Sequence, residues 1–173
     1  MRHWIPRVNT GQCVLLPRTC LSRLLSSKGK PAQAARTTRP TKSGVRVEVV
    51  DFDGACRVHQ DDELLVRLRS VRRGADGAFI LDHGGGGALF VHIHGDAAFL
   101  WFQPDTEDHP GFVPNGMWSG DHHDVRFLQV NGTESDAIFV PWWQLLPVDA
   151  ACRAAIEYLH SPTLPTSVTW FEL

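Results

Sequence analysis

No acidic residue occurs before Glu48, and no two cysteines are spaced as Cys-x-x-Cys. The first absence divides the chain. Arg2, Arg7, Arg18, Arg23, Lys28, Lys30, Arg36, Arg39, Lys42 and Arg46 are ten of the 17 basic residues, and the stretch from Glu48 onward sets the other seven against all 19 acids, a net of −12. The formal charge of −2 thus combines a basic segment with an acidic one, and the two call for different partners. The second absence removes a dithiol redox motif and a cysteine-based metal site, so Cys13, Cys20, Cys56 and Cys152 fit a reducing compartment. A secretory apolar run is also missing, because Cys13-Val14-Leu15-Leu16 is interrupted by Pro17-Arg18, and a signal peptide is not expected. Nucleophile signatures are missing too: there is no Gly-x-Ser-x-Gly, and neither Cys56 nor Cys152 lies in a setting that activates a thiolate.

Residues 1–44 have no apolar periodicity and are rich in Arg, Pro, Ser, Thr and Gly, a composition that cannot offset the entropy of ordering. The expectation is a disordered basic extension. Its acid-free, Arg-rich character also suits a transit peptide, a nucleic-acid-binding arm, or a translation start placed too far upstream.

The folded domain is expected over residues 45–173, opening with the alternation Val45-Arg46-Val47-Glu48-Val49-Val50-Asp51 of a half-buried strand. Acids at 61–63, apolar Leu64, Leu65, Leu68 and Val71, and arginines up to Arg73 predict a helix over about 61–73, charged to complement its dipole. Ala78–Leu81 reads as a strand. Gly84–Gly87 reads as a turn, because it runs into Ala88-Leu89-Phe90-Val91 where a phosphate cradle needs Lys and Ser/Thr at a helix start. The run 88–102 is a hairpin about Gly95-Asp96. Pairing outward places His94 opposite Ala97, His92 opposite Phe99 and Phe90 opposite Trp101 on one face, with a wholly apolar core face behind. Residues 103–123 read as a long polar loop. Strands at 124–130 and 137–140 flank an Asn131-Gly132 turn, and Pro147 opens a helix carrying Val148, Ala151, Cys152, Ala155, Ile156 and Leu159 on one face. Cys152 there acts as a small hydrophobe. Val168, Trp170 and the chain end make a closing strand, with Trp170 in the core. This order implies one α+β domain, a mainly antiparallel sheet with two helices packed on it.

The C-terminal run Phe139-Val140-Pro141-Trp142-Trp143, then a proline-opened helix, then Leu164-Pro165-Thr166-Ser167-Val168-Thr169-Trp170, resembles the signature of the type-one immunity proteins of bacterial polymorphic toxin systems. In that family a helix is followed by a few residues, a proline, and a last strand carrying a tryptophan. The likeness is strongest over 137–171 and looser over 88–102. It implies a cytoplasmic antitoxin without turnover or cofactor, whose partner is a toxin domain that deaminates or cleaves nucleic acid. Such a toxin presents a positive surface. An acidic inhibitor is steered to it and can fill its substrate groove, with no direct contact to nucleic acid or membrane.

Loop position and charge single out Asp105, Glu107, Asp108, Trp118, Asp121, Asp124 and Trp142 as contact residues. Adjacent on an extended segment, Trp142 and Trp143 would point to opposite sides, leaving one as an anchor. The alternative is a metal-dependent enzyme using His92, His94 and one of His109, His122 or His123, because His92-x-His94 resembles the His-x-His element of cupin metalloproteins. The glutamate ligand that follows in cupins is missing: Gly95-Asp96-Ala97-Ala98 stands there.

Overall fold

The computed structural model describes residues 46–70, 72–106, 108–116 and 118–173, so the basic extension and the Val45 start of the expected domain lie outside the described residues. The element order is β1 (Val47–Asp51), β2 (Gly54–Val58), α1 (Asp61–Ser70), β3 (Asp76–Asp82), β4 (Ala88–His94), β5 (Ala97–Gln103), β6 (Phe112–Pro114), β7 (Val125–Phe127), β8 (Ile138–Val140), β9 (Leu146–Pro147), α2 (Val148–His160) and β10 (Trp170–Glu172). Short 3-10 turns at Glu134–Asp136 and Trp142–Gln144 follow β7 and β8. Hydrogen bonding orders the main sheet β10-β6-β5-β4-β3-β1-β2, with β9 beside the start of β5, and every pairing is antiparallel. Strands β7 and β8 form a separate ribbon. The expected α+β domain, a mainly antiparallel sheet carrying two helices, is what folds.

The period-two alternation of β4 and β5 builds this architecture. Leu89, Val91, Ile93, Ala98, Leu100 and Phe102 face one side, where they meet Leu64 and Leu68 of α1 and Ala151, Cys152, Ala155, Tyr158 and Leu159 of α2 in the main core. His94 pairs with Ala97, His92 with Phe99 and Phe90 with Trp101, the register that the Gly95-Asp96 turn predicts. The ribbon covers part of this second face: Phe127 and Val140 pack with Ala97, Phe99, Val113 and Leu145 into a smaller core. The result is three layers, helices, sheet and ribbon.

Buried charge fixes α1. Arg67 reaches the fully buried carboxylate of Asp51 with Nε at 2.5 Å from Oδ2 and Nη2 at 2.9 Å from Oδ1, while the Asp53 amide donates to Asp51 Oδ1 at 2.9 Å. A bidentate pair of this kind tolerates one approach only, so the helix is held across the β1–β2 hairpin.

Several expectations change at their edges. The first helix stops at Ser70, short of Arg73, because Arg73 and Asp76 exchange two backbone hydrogen bonds around Gly74, whose φ of +65° turns the chain into β3. The long polar loop contains β6, which joins β5 to β10. Strands at 124–130 and 137–140 shrink to three residues each. Between them Leu128 and Val130 turn inward, and the Thr133–Asp136 capping box closes the connection, so Asn131-Gly132 is not a two-residue hairpin turn. Strand β2 has a composition, Gly-Ala-Cys-Arg-Val, that gives little strand signal, and its pairing with β1 supplies what its own residues do not. Among the described residues no helix is long and apolar enough to cross a membrane.

Candidate functional site

Glu157 and Trp170 explain why a proline-bounded turn must follow α2. The Glu157 carboxylate accepts from the backbone amides of Thr166 at 2.6 Å and Ser167 at 3.1 Å, and from the Thr166 hydroxyl. Partial burial opposes its ionisation, but the hydrogen bonds from Ser167 and Thr166 win and hold its pKa below the ordinary carboxylate value. The Trp170 indole N–H donates to the Pro165 carbonyl at 2.7 Å, and the half-buried ring packs on the main core. Helix, turn and closing strand are thereby latched, and the latch sets where β10 presents its other side. On that side, alternate to Trp170, stands Phe171, paired in register with Val113 of β6.

Around β10 the second face opens to solvent. Phe171 is 46% exposed and Trp143, 44% exposed, meets it edge to face with ring centroids 6.2 Å apart. Trp142, 36% exposed, is stacked on His122 at 4.2 Å. Both indoles reach the surface because Trp142–Gln144 is a 3-10 turn, closed by Leu145 N–H to Trp142 O and Gln144 N–H to Pro141 O. The extended geometry that would send one ring inward is absent there. The tip of the preceding loop seals the underside: Gly116 N–H donates to Trp143 O at 2.7 Å, and a Cβ at Gly116 would fall 2.6 Å from that same oxygen. Glycine is needed there for close approach.

Asp105 and Asp108 are exposed, on a loop tied back by Gln103 Nε2 to His109 O at 2.8 Å. Glu107 lies outside the described residues. Asp121 and Asp124 are exposed, flanking the His122 that carries Trp142. Trp118 is half-buried against the smaller core, so most of its ring is a packing element. Of the residues singled out by charge and loop position, Asp105, Asp108, Asp121 and Asp124 are at the surface and Trp142 stacks on the neighbour of Asp121. The sequence points to Trp143 only as one of an adjacent pair, of which extended chain would expose a single ring, and it gives no sign of the exposure of Phe171.

The histidines are placed apart. His92 is buried, its Nδ1–H donating to the Leu128 carbonyl at 3.1 Å, and burial, offset in part by that bond, lowers its pKa from 6.5 to about 4. His94 Nδ1 meets Asp76 Oδ1 at 2.9 Å. His109 is stacked on Phe112, its Nδ1 accepts from Gly111 N–H, and its Nε2 lies 3.2 Å from Glu172. Among the described residues no group of three or more His, Cys, Asp or Glu is arranged to hold a metal ion, and the alternative ligand set of His92 and His94 with His109, His122 or His123 is not assembled. His92 holds the ribbon to the sheet instead. Cys56 and Cys152 have thiol pKa values raised first by burial, the reverse of activation. The glycine run is a packing device: Gly87, at φ +110°, sits where a Cβ would be 2.4 Å from Gln103 O, and its carbonyl accepts from the Tyr158 hydroxyl.

What the second face offers is a solvent-facing aromatic group amid carboxylates, a surface suited to holding a macromolecule. The family model described as Immunity protein Imm1 matches residues 53–172, from the β1–β2 turn to the end of β10. No curated protein matches the chain.

Proposed function

The chain belongs to the Imm1 immunity protein family, and from that premise we propose that it binds a cognate bacterial toxin and neutralises it by covering the active site. The toxin belongs to a polymorphic toxin system and acts on nucleic acid, as a deaminase or nuclease with a basic substrate groove. Inhibition is stoichiometric, cytoplasmic, and independent of turnover or cofactor. The family match carries this reading. Support comes from the charge of the chain after residue 47, net −12, which favours encounter with a basic surface and repels the nucleic acid that competes for the same groove. Asp105, Glu107, Asp108, Asp121 and Asp124 supply part of that field, and Trp142 and the exposed edge of Trp118 supply apolar contact.

The test is co-expression in bacteria of the toxin-like domain encoded beside this gene, with and without the full chain. Restored growth together with co-purification of the two proteins is expected. Unrelieved toxicity with no complex would overturn the reading.

A further inference from the structure

Trp143 and Phe171 come from distant parts of the chain, meet edge to face, and remain nearly half exposed. Isolated exposed hydrophobes are ordinary, but a contacting aromatic pair is not a scattered event. Trp142 on His122 extends it, and Leu173, 53% exposed, lies two residues beyond Phe171 with its amide bonded to Gly111 O.

The chemistry of the surround selects the occupant. From Gln103 to Leu173 the chain carries ten acidic side chains, of which Asp149 and Glu157 are on α2, and two basic ones, Arg126 and Arg153. Arg126 is paired with Glu134, and Arg153 is on α2, which packs against the other face of the sheet. The Glu172 carboxylate points to the other side of β10, where it meets His109, and the acid nearest the aromatic group in sequence is Asp121, next to the His122 that stacks on Trp142. A nucleic acid would bring phosphates against these carboxylates. A second copy would set the same acidic patch against itself, since a two-fold interface is self-complementary. A basic protein surface fits both parts: a guanidinium stacks on an indole or phenyl face and pairs at its edge with a carboxylate.

We infer that the Trp143–Phe171 pair is the apolar anchor of the interface with the toxin, receiving a basic patch whose arginine lies across these rings. The inference rests on the immunity reading and names its central contacts. The acids around the pair set the association rate, and the pair sets the lifetime of the complex.

The probe is the toxin that co-purifies with the full chain, tested by surface-based kinetics against the wild-type protein, Trp143→Ala, Phe171→Ala and, on the exposed side of α1, Val66→Ala. Each aromatic variant is expected to weaken binding about 30-fold or more through faster dissociation, with Val66→Ala unchanged. Should Trp143→Ala lower the melting temperature markedly, Phe171→Ser at the surface of β10 repeats the measurement. Wild-type binding that both aromatic variants retain would overturn the anchor and leave the immunity reading standing. A wild-type chain that captures no toxin overturns both, and a signal lost in the variants only for an oligonucleotide or for self-association overturns the class of partner.

Discussion

His92 shows how a residue suited to catalysis becomes a structural one. Its ring is closed in by Phe99 and Phe127 and spends its one N–H on Leu128 O, so the folded protein holds it neutral down to about pH 4. The unfolded chain takes up a proton near pH 6.5. Stability from this residue is therefore present above pH 6.5 and is lost as pH falls toward 4, by about 3 kcal/mol in all. His92→Phe, unable to titrate, should lose less stability than wild type over that range in urea melts, and parallel curves would refute this. Arg67 carries a second prediction: Arg67→Leu strands the buried Asp51 carboxylate and should cost about 3 kcal/mol or more, while adding Asp51→Leu should recover much of the loss. A double mutant no more stable than the single would contradict the pairing.

Among the elements, the latch joining α2 to β10 is the part of the fold that the family signature records. Glu157→Ala removes the acceptor of two backbone amides and should lower stability by about 1–3 kcal/mol, seen as a drop of several degrees in melting temperature. Because the latch positions Phe171, the same variant should weaken toxin binding. The long elements were legible in the sequence, since the alternation of β4 and β5 and the one-sided apolar face of α2 each specify an element and the side it buries. Strands β2, β6 and β9 were not, because their pairing comes from β1, β5 and β10 and not from their own residues. The acidic loops were legible as charge. Trp143 and Phe171 were not, since their exposure depends on a 3-10 turn and a strand edge, both set by tertiary contacts.

For the whole molecule, the proposed interface gives charge and aromatic surface separate kinetic tasks. Replacing Asp105, Glu107 and Asp108 together with Ala should slow association and flatten its dependence on salt, with little change in dissociation. Unchanged kinetics would remove that loop from the interface. The shallow groove between β2 and α1, about 330 Å³ and lined by Cys56, Arg57, Glu63 and Arg67 among others, lies at the sheet edge away from β10 and has no part in this scheme. Occlusion without turnover can be read from a titration of the cognate toxin's nucleic-acid activity with the full chain. Activity is expected to fall linearly to zero at one equivalent, with the toxin recovered unmodified from the complex. Inhibition at far less than one equivalent, or a toxin left chemically altered, would contradict it.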